Sequence, residues 1–174
     1  MPLHLIIDGY NLIRQSPDLL AQESQDLRWG REALLEKLAA YRRLKKYAIT
    51  VVFDGWEAGE GEGLGNRDHF QGMLIIYSRR GEKADEVIKR MAAREREGSL
   101  IISSDREISH YAERAGAAVM SAEEFSFRLY SAFVDGELAE TEKDQATWSG
   151  TKKKGPAHRD SKKLRQQRRR VKKI

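Results

Sequence analysis

Five short apolar runs punctuate this chain: Leu5-Ile6-Ile7, Ile49-Thr50-Val51-Val52-Phe53, Met73-Leu74-Ile75-Ile76-Tyr77, Leu100-Ile101-Ile102-Ser103 and Ala117-Ala118-Val119-Met120. Each has strand length, and their near-continuous apolar character suits strands covered on both faces. Between them the apolar positions change to helical spacing. Leu27, Leu34, Leu38 and Tyr41, widened by Leu35, predict a helix from about Asp26 to Lys46. Ala84, Val87, Ile88 and Met91 predict another that ends near Gly98, and a third runs from about Arg106 to Arg114. Phe125, Leu129 and Phe133 carry a last one. Strands alternating with helices predict an α/β sandwich on a mostly parallel sheet of about five strands.

Local signals mark the ends of these elements. Ser16-Pro17-Asp18 reads as a turn or a short helix start. Arg42, Arg43, Lys45 and Lys46 crowd the last turn of the long helix, where cations complement the helix dipole. Either Ser103 or Ser104 can cap the helix that follows them, and Ser121 with Glu124 forms a capping box. From Gly59 to Gly65 glycine occupies every second position, alternating mainly with acids. Without GK[ST] and a helix close behind, this is no phosphate loop. A mobile surface loop is the plain reading; a flap whose Trp56 stacks on a base is the sharper one.

Size and composition narrow the class. A chain of 174 residues, 40% hydrophobic, suits one domain of about 130–150 residues with an appendage. We place the domain at residues 1–135 and a polar linker with a basic tail at 136–174. There is no cysteine, which removes disulfides, thiolate catalysis and Cys-ligated zinc. No apolar run approaches a membrane span and no signal-peptide pattern opens the chain, so the expectation is a soluble cytoplasmic protein. Charge is divided along the chain. Thr151–Ile174 holds 12 Lys/Arg and one Asp, a segment charge of +11; of the totals of 32 and 27, that leaves 20 basic and 26 acidic residues before it, or −6. Such a tail, with Lys152, Lys153, Lys154, Arg168, Arg169 and Arg170, is expected to be disordered when free and to seek a polyanion, RNA or DNA.

The chemistry-bearing residues are aspartates at strand ends. The first strand stops in Asp8-Gly9-Tyr10-Asn11 and the second in Asp54-Gly55; Asp85 falls in the first turn after the third, and Asp105 follows Ser103-Ser104 after the fourth. Singly these are turn and helix-start residues. In a parallel sheet, however, all four open on one edge, where such sheets bind ligands. Carboxylates gathered there repel one another unless a cation neutralises them, and oxygen-only ligands favour Mg²⁺ or Mn²⁺. That chemistry suits a phosphodiester. An aspartyl-phosphatase reading fails because it wants a second Asp where Tyr10 stands, and a receiver domain wants an acidic pair that is missing. His69 and His110, each alone, are taken as structural or solvated.

LIIDGYNLI, VVFDG, GEKADEVI and IISSDREI, in that order, resemble the NYN nucleases of the YacP type, relatives of PIN-domain ribonucleases. The likeness spans roughly Leu3 to Phe133. It implies a PIN-like three-layer α/β/α sandwich and a metal-dependent endoribonuclease acting on single-stranded RNA, with mRNA on the ribosome as the expected setting and no small-molecule cofactor. The family pattern falls on Asp8, Asn11, Asp85 and Asp105, with Ser104 beside the last and Asp54 at the margin. Asp8, Asp85 and Asp105 are then the expected metal ligands, Asn11 a positioning group, and Arg79, Arg80 and Lys83 contacts to the RNA backbone. The rival is a non-catalytic RNA- or ribosome-binding module of the same fold.

Overall fold

A computed structural model describes residues 3–55 and 67–142. The glycine-rich stretch with Trp56 and the basic tail, with the expectations attached to them, lie outside the described residues. In chain order the elements are β1 (His4–Asp8), α1 (Gly9–Arg14), α2 (Pro17–Glu23), α3 (Leu27–Lys45), β2 (Ala48–Phe53), β3 (Arg67–Phe70), β4 (Met73–Tyr77), α4 (Ala84–Glu95), a 3₁₀ turn (Arg96–Gly98), β5 (Ser99–Ile102), α5 (Arg106–Ala115), β6 (Ala118–Met120) and α6 (Ala122–Glu142). They build one six-stranded sheet in the order β3-β4-β2-β1-β5-β6. All pairings are parallel except β3 with β4, which is antiparallel. The expected α/β sandwich is the observed architecture, with one strand more than expected.

Alternation along the strands divides the core. Leu5, Ile7, Val51, Phe53, Ile75, Leu100 and Ile102 face α1, α3 and α6, packing with Leu34, Leu38, Tyr41 and Phe125. Ile6, Val52, Ile76 and Ile101 face the other way, against Val87, Ile88 and Met91 of α4 and Ile108 and Ala112 of α5. Both faces are thus covered, which is why the strands read as unbroken apolar runs. α3 begins at an Asp26 cap and ends with Lys46 in the left-handed region at φ 56°. Its last-turn cations have tertiary work too, since Arg43 donates to the Gln71 side chain at 2.7 Å and Arg42 to the Gln71 carbonyl at 3.3 Å.

Two local expectations change. Asp8-Gly9-Tyr10-Asn11 is not a tight turn: Asp8 is the N-cap of α1 and Gly9 its first residue. Gly9 is required by space, because a Cβ there would fall 2.3 Å from the Phe53 ring, which is also in edge contact with Tyr10 and stacked on Tyr77. The cap of α5 is Asp105, whose side chain accepts from Glu107 and Ile108 N–H, and neither Ser103 nor Ser104 fills that place. Ser121 does accept from Glu124 N–H at 3.1 Å, as the capping box predicts.

Gly9→Ala must displace a fully buried aromatic ring or the start of α1. We expect it to cost about 1–3 kcal/mol, the usual range for overpacking a close-packed core. Urea unfolding of both proteins measures this; an unchanged midpoint would remove the steric account of Gly9.

Candidate active site

β1 lies in the middle of the sheet between β2 and β5, so its last residue emerges at the centre of the carboxyl edge. Asp8 stands there. Asp54 follows the end of β2, Asp85 occupies the first turn of α4, and Asp105 precedes α5. These four, with Asn11, Tyr10, Arg14 and Ala84, line one cleft of about 190 Å³. The edge predicted from strand order therefore gathers Asp8, Asn11, Asp54, Asp85 and Asp105.

A short hydrogen-bond chain fixes the cleft's inner wall. Asp8 Oδ1 accepts the Asn11 N–H at 3.3 Å, and Asp8 Oδ2 accepts the Ser103 hydroxyl at 3.1 Å. The same Ser103 Oγ accepts the Asp105 N–H at 3.1 Å, tying two of the carboxylate residues through one buried hydroxyl. Asn11 Oδ1 accepts the Ser104 N–H at 2.8 Å, which locks α1 to the segment before α5. Ser104 itself stands behind Asn11: its hydroxyl accepts from Ala122 N–H at 3.1 Å, at the start of α6, and it is not among the residues lining the cleft.

The electrostatics follow from crowding and burial. Asp8 is pushed up to about 6, first by burial and further by the charges of Asp85 and Asp105, against the opposing bonds from Asn11 and Ser103. Asp85 is also raised, by burial and then by Asp105, with Lys89 and Lys83 pulling the other way. Lys89 of α4 forms an ion pair with Glu107 of α5. Arg14 brings a cation to the cleft wall, its guanidinium 5.5 Å from the Tyr10 ring centroid and its Nε 3.8 Å from Glu23 Oε1. The Tyr10 hydroxyl accepts from buried Arg31 at 3.0 Å. Sequence reasoning missed Ser103 as a link, and Arg14, Tyr10 and Lys89 altogether. A clue for Ser103 was available, since pairing Ile7 with Ile102 sets Asp8 beside Ser103.

Whether these residues fit a divalent ion can be judged from the donors. The set is oxygen-only, and Asp85 and Asp105 disfavour ionisation of Asp8 while Asp105 disfavours that of Asp85, the situation a shared cation relieves. Among the described residues no three His, Asp or Glu side chains already converge at ligand spacing. The donor chemistry fits; closure on an ion requires the carboxylates to come closer together than they stand here. Of the other expected residues, Arg79, Arg80 and Lys83 are exposed in the segment between β4 and α4, and His69 and His110 are exposed on β3 and α5. No helix among the described residues is long and apolar enough to cross a membrane.

A mostly parallel sheet flanked by helices, with an acidic cleft at its carboxyl edge, has the form of a PIN-like nuclease fold. The chain belongs to the YacP-like NYN domain family, whose model matches residues 5–171. Over 88 residues it is 31% identical to the uncharacterized protein YacP of Bacillus subtilis (strain 168), a stretch covering 51% of this chain and 50% of that one. The match thus spans about half the length of that relative. Two crystal structures of Rae1 (YacP) from Bacillus subtilis share the fold. One, of a mutant, has a TM-score of 0.66 at 22% identity and covers 84% of this chain and 86% of that chain. The other has a TM-score of 0.60 at 23% identity, covering 83% and 84%.

The raised Asp8 sets a pH dependence in metal-free protein. Between its usual value of 3.8 and about 6 the folded state holds the proton more tightly than the unfolded chain. The resulting stabilisation is full below that window and is lost as pH rises through about 6. Asp8→Asn should abolish this part of the slope and be more stable than wild type at pH 7, by on the order of 2–3 kcal/mol. Chemical denaturation at pH 4 and pH 7 in EDTA checks it; equal stability of the two proteins at pH 7 would contradict the assigned strain.

Proposed function

We propose that this chain is a metal-dependent endoribonuclease that cleaves single-stranded RNA, with mRNA presented at the ribosome as its natural substrate. The observation that carries this reading is the gathering of Asp8, Asp54, Asp85 and Asp105 with Asn11 around one cleft at the carboxyl edge. Family membership supports the nuclease class.

In this reading Asp8, Asp85 and Asp105, with Asp54 at the margin, hold Mg²⁺ or Mn²⁺. When bound, such an ion supplies positive charge for the scissile phosphate and lowers the cost of forming hydroxide from water. The reaction is in-line hydrolysis, in which water oxygen bonds to phosphorus and the bond to the 3′-oxygen breaks, leaving a 3′-hydroxyl and a 5′-phosphate. Ser103 ties the Asp8 carboxylate to the Asp105 backbone N–H, so the two chain segments that carry these acids are held in fixed relation. Asn11 has its carbonyl oxygen engaged by Ser104 and so directs its amide NH₂ toward a phosphate oxygen or Asp8; Ser104 thereby acts on the site from behind. Arg14 offers a cation on the same wall for a non-bridging oxygen. Arg79, Arg80 and Lys83 hold the backbone beside the cleft, and the +11 tail supplies the attraction to RNA or a ribonucleoprotein surface.

Wild type, Asp8→Asn and Asp85→Asn incubated with RNA and Mn²⁺, with and without ribosomes, test the assignment. We expect cleavage by wild type alone, with EDTA abolishing it and each variant slower by at least about 10²-fold. Mn²⁺ should also raise the melting temperature of wild type more than that of Asp8→Asn, because only binding to the folded state stabilises it. Equal cleavage by all three proteins would sink the site; no cleavage by wild type under either condition would favour the non-catalytic binding module. Deleting residues 151–174 should weaken RNA or ribosome binding and flatten its salt dependence while leaving the Mn²⁺ shift in place. Unchanged affinity would take the tail out of the mechanism.

A further inference from the structure

A second cleft, of about 430 Å³, opens on the α4 side of the sheet and is separate from the acidic one. Its origin is topological. β3 and β4 lie at one end of the strand order, whereas α4 is centred over β1, β2 and β5. The strip of sheet beyond α4 therefore forms a trough between that helix and the β3–β4 hairpin. Leu74 and Ile76 of β4 make its floor, continued by Val87 and Met91 from the flank of α4.

Four arginines surround this apolar floor: Arg67 on β3, Arg79 in the loop before α4, and Arg90 and Arg94 on α4. Val87, Arg90, Met91 and Arg94 recur at helical spacing, so apolar contacts and guanidiniums alternate along one flank of the helix. Arg67 is paired across the hairpin with Ile76, which puts a cation on the opposite bank. One acid lines the wall, Glu82, and it is engaged by Arg90 at 2.8 Å and by the Arg79 N–H at 3.3 Å. The lining thus carries three more positive than negative charges in a body that is otherwise acidic.

An apolar floor ringed by guanidiniums matches a single nucleic-acid strand, whose bases seek apolar contact and whose phosphates seek cations. Continuity singles out RNA over an acidic peptide. The segment carrying Arg79 and Glu82 runs directly into Ala84 and Asp85, which line the acidic cleft. We propose that this trough holds the flank of the RNA strand leading away from the acidic cleft, with phosphates on Arg67, Arg79, Arg90 and Arg94 and bases against Leu74, Ile76, Val87 and Met91. The proposal rests on the RNA-cleaving reading above and adds to it a path for the substrate.

The test uses the full chain in EDTA, so that binding is measured apart from cleavage. A fluorescent oligouridine about twelve nucleotides long is titrated with wild type, with Arg67→Gln/Arg94→Gln, and with Lys45→Gln/Lys46→Gln as a control of equal charge at the end of α3. We expect the trough pair to weaken binding about tenfold and to reduce the salt slope by about 1.4, or about 0.7 for each lost phosphate contact. The control pair should do neither, and Arg67→Lys/Arg94→Lys should restore most of the affinity. Equal weakening by both Gln pairs would assign the effect to net charge and overturn the trough, as would unchanged binding by the trough pair, which would leave the cleft to another partner. If wild type binds through the trough yet never cuts RNA with Mn²⁺, the nuclease reading fails and the trough stands. If it cuts while the trough pair binds as wild type does, the trough alone fails.

Discussion

The carboxyl edge depends on one carboxylate that the fold makes hard to ionise. Asp8 ends the central strand, flanked by β2 and β5, so burial and two neighbouring acids act on it together. Two hydrogen bonds oppose them and do not win, since the group still rises to about 6. A capping role does not account for this. Asn or Ser caps a helix as well as Asp does, without charge, and the Asp8–Asn11 bond is long at 3.3 Å. What only Asp supplies at this position is a negative charge in a crowded cleft. A carboxylate raised by burial and neighbouring acids in a concave site makes Asp8 a candidate functional group.

The architecture was legible because β1, β2, β4, β5 and β6 are apolar on both faces, and the helices between them keep one apolar stripe each. β3 was not. Its Arg-Asp-His-Phe sequence is largely exposed and pairs with β4 along an edge, so no apolar alternation announces it. α1 was hidden for another reason: Asp-Gly-Tyr-Asn has the composition of a turn, and only the packing of Gly9 on Phe53 shows why glycine starts a helix there. Propensity signals describe the chain's local preferences; a ring lying over a backbone is information from another strand.

The site was partly legible for the same reasons. Acids at strand ends can be placed by topology alone, and the order β2-β1-β5 puts Asp54, Asp8 and Asp105 side by side. Ser103 could not be recognised by type, because a serine after a strand and before a helix looks like a cap. Its role depends on register, which sets it beside Asp8, and on Asp105 taking the cap itself. Arg14 lines the cleft from a helix surface and Lys89 lowers Asp85 from another, places where a basic residue is ordinarily only solvated.

The distribution of charge then becomes a constraint on mechanism. A cleft lined by four acids repels the polyanion it is proposed to cut, and about 8 Å of screening length at physiological salt keeps distant charges from cancelling that repulsion. A basic tail can raise the local concentration of RNA, but as a tether it does not specify where the strand lies on the body. Placement has to come from cations built into the fold. Arg14 provides one at the cleft, and the arginines beyond α4 provide more within reach of the same loop. In the proposed reading, attraction and placement are thus separable tasks: the tail would carry the first, and cations on the elements around the acidic edge the second.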